Sequence, residues 1–136
     1  MCDGAGAILD VEATTAGPEI IRDEGAGFLA HSNHFMCARY TKRETWDSMM
    51  PDSLQRRDRM NALIQAEMGS ITVERIKAFL GDHSNHPTSI CRHPQTLRKG
   101  PERTVASMIS EPARRRMHVA LGNPCESQFV TYAMDA

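Results

Sequence analysis

Residues 104–125, TVASMISEPARRRMHVALGNPC, carry the pattern that decides the fold. Two short apolar runs are separated by Glu111-Pro112, and the second run ends at Gly122-Asn123-Pro124. Short runs bounded by proline and glycine are typical of neighbouring strands in an antiparallel sheet. A third run, QFVTYAM at 128–134, follows this turn, so the end of the chain predicts an antiparallel meander.

Two helices are predicted upstream of the meander. PDSLQRRDRMNALIQAEMG, 51–69, begins with Pro51, offers Asp52 or Ser53 as a cap, and repeats apolar residues at helical spacing. A shorter helix is predicted over 72–81, with Thr72 as its cap and glycine at its end. The solvent-facing side of the first helix would carry three arginines, Arg56, Arg57 and Arg59.

Three further runs predict strands. AGAILDVEA, 5–13, predicts one strand, and EIIRDEGAGFLAH, 19–31, predicts a hairpin that turns at Asp23-Glu24-Gly25 and ends at His31. TSICRH, 88–93, predicts the first strand of the same meander, and its alternation places Cys91 and His93 on one face and Arg92 on the other. Together these elements predict one α+β domain over residues 1–136.

Charge and composition exclude several partners. Sixteen basic against seventeen acidic residues give a net charge of −1, and the chain has only one Trp, two Tyr and four Phe. Neither the charge nor the aromatic content favours nucleic acid. No apolar stretch is long enough for a membrane helix, and no signal peptide is apparent. We therefore expect a cytoplasmic protein with reduced cysteines.

Histidine and cysteine occur in two groups that resemble metal ligands. Structural zinc sites usually draw their ligands as two close pairs, whereas here the first group leaves a predicted strand and the second straddles a proline loop. We therefore expect no metal and no cofactor, and keep a small zinc-binding protein as the lesser alternative. The two groups are His31, His34 and Cys37, and His83, His86, Cys91 and His93.

A cysteine nucleophile is a separate question. The internal cysteines lack a local catalytic signature and are expected to be small buried apolar residues. Cys2 differs, because removal of Met1 would give it a free α-amino group beside its thiol. It is the weak candidate for a nucleophile within these residues.

Four segments in order, HSNHF, PDSLQRRDRM, HPTSICRH and the meander stretch at 104–125, resemble the C-terminal part of the isopenicillin N acyltransferase family. The opening GAGAILDVEATTAG also resembles the strand pair that precedes the family's His-x-Asn-His segment. Members of the family are cysteine N-terminal-nucleophile proteins that cleave linear amides or transfer acyl groups. The resemblance implies part of a four-layer αββα sandwich.

The resemblance also implies site residues. Asn33 matches the asparagine that helps to hold the oxyanion, a contribution of roughly 3 kcal/mol per donor. His31 and His34 would brace the turn around it. The family's functional arginine is assigned neither to Arg98 nor to Arg103, because the spacing differs. A second matching segment would place a strand beside the site, with Ser89, Cys91 and Arg92 as supporting residues.

The family's Cys-Thr-Thr nucleophile segment does not occur in residues 1–136. The expectation is therefore a C-terminal portion that is inactive alone, whose partner is the missing N-terminal part. Complete, it would act on an acyl-CoA or an amide, as an acyltransferase or amidohydrolase. Sheet edges and faces left uncovered would favour self-association. A non-catalytic binding or assembly module of the same fold is the alternative.

Overall fold

The computed structural model describes residues 1–41, 52–94 and 103–134. One antiparallel sheet pairs strands β1 and β2, and a second contains β3, β4 and β5 in that order. This mixture of helices and antiparallel sheets is consistent with the predicted α+β class. The elements of the described residues are β1 (Leu9–Thr14), β2 (Gly17–Arg22), α1 (Ala38–Thr41), α2 (Ser53–Ala66), α3 (Val73–Leu80), β3 (Ala106–Glu111), a 3-10 turn (Pro112–Arg114), β4 (Arg116–Leu121) and β5 (Val130–Ala133).

The last three strands of the predicted meander are confirmed, but its first, TSICRH at 88–93, does not form a strand. β3 pairs with β4 so that Ile109 lies opposite His118, and β5 returns along the other edge of β4. Ile109, His118 and Ala120 point to the buried face, against which α3 packs. Alternation along each strand leaves large apolar side chains on the other face, which exposes Met108, Leu121, Val130 and Tyr132.

The first hairpin lies earlier in the chain than predicted. β1 pairs directly with β2 through a turn between Thr14 and Gly17, where the glycine adopts a φ of 111°. The predicted hairpin around Asp23 is wrong. The Asp23 carboxylate instead accepts hydrogen bonds from the backbone N–H groups of Gly25, Ala26 and Gly27. His31 therefore follows an irregular segment and does not end a strand.

Both predicted helices are confirmed, with shorter bounds. α3 is capped as expected, because the Thr72 hydroxyl accepts the N–H of Arg75 at 3.3 Å, and Gly81 lies at its end. Asp52 occupies the N-cap position of α2, but its side chain makes no capping hydrogen bond there. The predicted first position, Pro51, lies outside the described residues.

The predicted strand over 88–93 is wrong, although the predicted orientation of its side chains is confirmed. The segment turns, and the N–H of Cys91 donates to the carbonyl of Asp82 at 3.0 Å. Cys91 Sγ still lies 3.9 Å from His93 Nε2, while Arg92 forms an ion pair with Asp52. These three consecutive residues therefore face two different parts of the protein.

A small core joins these elements. Its fully buried apolar side chains include Tyr40, Phe79, Cys91 and Ala120. Tyr40 packs against the Phe35 ring and donates its hydroxyl to the carbonyl of Gly17 at the turn before β2. Across the described ranges, no helix combines the length and apolar character needed to cross a bilayer.

Candidate functional site

Residues 31–37, termed here the Asn33 loop, are held against β1 by one buried carboxylate. Glu12 is only 3% exposed and accepts the backbone N–H groups of Met36 at 2.5 Å and Cys37 at 2.9 Å. His31 Nε2 lies 2.9 Å from the same carboxylate. Burial raises the pKa of Glu12, but these hydrogen bonds outweigh it and lower the pKa below its ordinary value. Glu12 is therefore ionised at neutral pH and fixes the end of the loop.

Asn33 is fixed at both its backbone and its side chain. Its N–H donates to Ser53 Oγ at 2.7 Å, and its Oδ1 accepts Arg56 Nη2 at 2.6 Å. Since a guanidinium only donates hydrogen bonds, the amide oxygen must face Arg56. The Nδ2 group of this exposed residue is then the remaining donor, and it has no hydrogen-bond partner within the described ranges.

A chain of charged groups supports Arg56. Its Nε donates to Asp52 Oδ2 at 2.9 Å, and Arg92 forms an ion pair with the same carboxylate. Asp52 is buried, so it is held between two guanidinium groups at the start of α2. Arg92, one of the predicted supporting residues, therefore reaches Asn33 through Asp52 and Arg56.

The two histidines lie on either side of Asn33. His34 is buried, with Nδ1 at 2.8 Å from Ser53 Oγ and Nε2 at 3.2 Å from Arg57 Nη1. Because Arg57 only donates, His34 Nε2 accepts and the proton lies on Nδ1. The rings of His31 and His34 are nearly parallel, with centroids 6.2 Å apart. Both imidazoles therefore contact groups that also hold the loop.

The arginines of α2 were predicted to face solvent, and this prediction is wrong. The Arg56, Arg57 and Arg59 side chains are only 18%, 24% and 35% exposed. They bind Asn33, His34 and Asp82 respectively. Helical spacing indicated their common surface correctly but could not show that another part of the chain covers it.

Ser89 and Cys91, the other predicted supporting residues, lie behind this network. The buried Ser89 hydroxyl donates to the carbonyl of Cys91 at 2.5 Å, which stabilises the turn that carries Arg92. The Cys91 side chain does not face the Asn33 loop. It belongs instead to a second group of side chains.

This second group, termed here the sulfur–nitrogen cluster, contains His83, Cys91, His93 and Cys125. One nitrogen or sulfur atom from each lies within 4.8 Å of all the others. Burial and the neighbouring Cys91 raise the pKa of the Cys125 thiol to about 11. The sequence grouped His86 with these residues instead of Cys125. Cys125 was missed because it follows β4, distant in sequence, and no local spacing indicates it.

Cys2 lies elsewhere, at a mainly apolar pocket of about 400 Å³. The pocket is lined by Ile8, Leu9, Phe28 and Leu29 together with Cys2 and His31. Asn33 is not among its lining residues. The structure thus brings Cys2 near His31 but does not place it in one pocket with the predicted oxyanion donor.

The family model described as acyl-coenzyme A:6-aminopenicillanic acid acyl-transferase matches residues 1–126. The chain belongs to this acyl-transferase family, as the order of its sequence segments predicted. No individually curated protein matches the chain.

Proposed function

We propose that this chain forms part of an acyltransferase that transfers the acyl group of an acyl-CoA to an amine. The family is described by this reaction, with 6-aminopenicillanic acid as the amine. The observation that carries the proposal is the hydrogen bond from Arg56 to Asn33 Oδ1, which leaves the Nδ2 donor of this exposed residue in a fixed orientation.

Acyl transfer places negative charge on the carbonyl oxygen of the tetrahedral intermediate. A donor already oriented before the reaction stabilises that charge without reorganisation. Asn33 meets this condition because its backbone is bound to Ser53 and its side chain to Arg56. Arg56 does not contact the acyl group in this proposal. It is a positioning residue whose own orientation depends on Asp52.

The nucleophile is proposed to be a cysteine of polypeptide outside residues 1–136, since these residues contain no Cys-Thr-Thr segment. That polypeptide would complete the αββα sandwich, and residues 1–136 would form the C-terminal portion of a single domain. Cys2 is the lesser candidate, supported by the pocket that it shares with His31. A non-catalytic module of the same fold would keep the Asn33 loop but show no acyl transfer.

The test is a steady-state assay of the natural protein, isolated with every polypeptide that co-purifies. Acyl-CoA thioesters serve as donors, 6-aminopenicillanic acid serves as the amine, and release of the CoA thiol is followed. Asn33→Ala should lower kcat by about 10²- to 10³-fold. The matched control is Gln55→Ala, which removes an exposed amide from α2 and should leave kcat unchanged.

Two results would overturn the proposal. Turnover by a folded Asn33→Ala protein at the wild-type kcat would exclude the oxyanion role. No acyl transfer by the natural protein with any acyl-CoA would favour the non-catalytic module. Loss of turnover in Cys2→Ala would instead assign the nucleophile to Cys2 and correct that part of the proposal.

A further inference from the structure

We infer that the sulfur–nitrogen cluster is a structural Zn²⁺ site with a Cys₂His₂ ligand set. This inference goes beyond the proposed acyl transfer. Among the described residues, no side-chain hydrogen bond joins a ligand of the cluster to the Asn33 loop. The inference also departs from the sequence prediction, which expected no metal.

Four of the six distances between the donor atoms lie within about 0.3 Å of those expected around a tetrahedral zinc ion, and the two from His83 to the sulfurs are within 4.8 Å. Zn–S bonds of about 2.3 Å and Zn–N bonds of about 2.0–2.1 Å require separations of about 3.8 Å for S–S, 3.6 Å for S–N and 3.3 Å for N–N. The observed values are 3.5 Å between the Cys91 and Cys125 sulfurs and 3.0 Å between Nε2 of His83 and His93. Nε2 of His93 lies 3.9 Å from Cys91 Sγ and 3.3 Å from Cys125 Sγ.

The chemistry of the donors selects zinc among the common divalent ions. Two thiols and two imidazoles suit Zn²⁺, whereas Mg²⁺ and Ca²⁺ prefer oxygen ligands. Four protein donors also fill a tetrahedral shell and leave no position for water or substrate. The arrangement therefore fits a structural ion better than a catalytic one.

Neighbouring groups are placed as outer ligand contacts usually are. Asn123 Nδ2 donates to Cys91 Sγ at 3.4 Å, and it also donates to the carbonyl of Arg92 at 2.5 Å. Glu126 Oε1 lies 3.6 Å from His93 Nδ1, the ring nitrogen opposite the one that faces the cluster. This is an ion-pair distance and not a hydrogen bond; metal-binding histidines commonly donate this nitrogen to a carboxylate, which fixes the ring and raises its basicity.

A disulfide accounts for fewer of these observations. The two sulfurs lie 3.5 Å apart, well beyond the S–S bond length of about 2.05 Å, and both cysteines are free. A disulfide would also give the two imidazoles no reason to approach the sulfurs. One ion, in contrast, uses all four side chains.

The cluster joins three segments of the chain, so a metal ion bound there would stabilise the fold. Its ligands come from the loop after α3, the turn at 91–93 and the turn that follows β4. The last segment is distant from the turn at 91–93, since Cys125 follows Cys91 by 34 residues, and the apolar core that joins these segments is small. A structural metal is a common means by which small domains compensate for a limited core.

The test measures metal binding by the full chain, purified under reducing conditions and freed of metal with a chelator. Titration with Zn²⁺ followed by elemental analysis should give one ion per chain. Co²⁺ should give the strong visible bands of a tetrahedral site together with thiolate-to-cobalt charge transfer. Cys125→Ser should weaken Zn²⁺ binding by about 100-fold or more, and Asn123→Ala by about tenfold.

The controls are Cys37→Ser and His86→Ala, which remove the same residue types outside the cluster and should keep full affinity. Cys125 is exposed, so its substitution should not disturb folding, which circular dichroism checks. Absence of stoichiometric zinc in the wild type would overturn the inference. So would an unchanged cobalt spectrum in Cys125→Ser, or mass spectra of the reduced preparation that show only a Cys91–Cys125 disulfide.

Discussion

The Asn33 loop and the sulfur–nitrogen cluster are both dense groups of polar side chains, but their charges are compensated differently. In the loop, the carboxylates of Glu12 and Asp52 meet N–H and guanidinium donors at 2.5–2.9 Å. In the cluster, two thiols and two imidazoles contact mainly one another, at 3.0–3.9 Å. The loop thus contains both signs of charge, whereas the cluster contains only groups that share a preference for a cation.

This difference shows that proximity alone does not identify a ligand site. A polar group whose charge is already matched within the protein serves to position its neighbours. A group of donors without an internal opposite charge is suited to an added ion. Variants of each region can test whether the two really differ in this way.

Zinc removal should have the largest effect. With free Zn²⁺ at about 1,000 times its Kd, ligand binding adds about 4 kcal/mol to the free energy of unfolding. Urea unfolding of the wild type should therefore shift strongly when a chelator is added. Cys125→Ser, with a Kd about 100-fold higher, should keep at most about 1.4 kcal/mol of this gain, so the chelator should shift its unfolding far less. If the chelator does not change the urea unfolding of the wild type, the cluster is not stabilised by an added ion, and the proposed difference between the two regions is wrong.

Glu12→Gln should have the next largest effect, because it removes the negative charge that holds the Asn33 loop. The N–H groups of Met36 and Cys37 bind different oxygens of Glu12, so the glutamine NH₂ would oppose one of them, while the amide oxygen could accept the other. We expect a loss of about 3 kcal/mol in the free energy of unfolding, measured with urea. Glu74→Gln, at a carboxylate that is 77% exposed, is the control and should change little. Zinc affinity should be unchanged in both variants.

The pH dependence of stability should contain a contribution from Glu12. Its pKa in the folded protein lies below its ordinary value of 4.5, so the unfolded chain binds the proton first as the pH falls. Stability is therefore complete above about pH 5 and decreases as the pH falls through 4.5 and below. Urea unfolding of wild type and Glu12→Gln between pH 6 and 3 measures this contribution, and the wild type should lose more stability than the variant over that range.

Other carboxyls contribute to the same pH range. The pKa of Asp82 is lowered by its hydrogen bond from Arg59, and that of Glu111 by its hydrogen bond from His118. Both groups remain in Glu12→Gln, so the difference between the two curves isolates Glu12. Parallel curves would contradict an ionised Glu12 at the loop.

Arg56→Gln should have a moderate effect on catalysis. The amide of Asn33 would lose its fixed orientation, and kcat should fall by about tenfold, or about 1.4 kcal/mol, with KM nearly unchanged. Arg56→Lys should recover part of the rate, because it restores a donor to Oδ1. Arg75→Gln, which removes a surface ion pair with Glu67, is the control. A loss of stability without a change in kcat would show a structural role only.

Thr72→Ala should have the smallest effect. It removes the hydroxyl that caps α3 and should lower the free energy of unfolding by about 1 kcal/mol. Neither zinc affinity nor kcat should change, because the cap contacts neither region. This variant is therefore the control for a loss of stability that arises outside both regions. A change in either site property would mean that the preceding variants do not report on local contacts.

The helices and the meander could be predicted because their signals are local. Thr72 and Gly81 mark the two ends of α3 in the sequence itself, and proline and glycine separate the last strands. The prediction of a hairpin at Asp23 was wrong. The Asp23 side chain accepts hydrogen bonds from three backbone N–H groups and closes a loop whose sequence resembles a turn between strands. A pattern of apolar residues does not distinguish these two cases.

The candidate site was predictable only where one motif carried it. Asn33 was found from its segment, but Ser53 and Arg56, which bind it, lie 20 and 23 residues away in sequence, and Glu12, which binds Cys37 in the same loop, lies 25 residues away. An acidic residue within the predicted strand at 5–13 was the available signal for Glu12 in the sequence. Cys125 had none, because its relation to Cys91 arises only when the turn after β4 folds against the loop after α3.

The alternation at Cys91, Arg92 and His93 has a consequence for regulation. Two proposed zinc ligands flank the arginine whose ion pair with Asp52 lies behind Arg56 and Asn33. A metal ion that draws the outer two side chains together also sets the backbone position of the middle one. Acyl-transfer rate and zinc supply would then be linked through three consecutive residues, without any contact between the ion and the substrate.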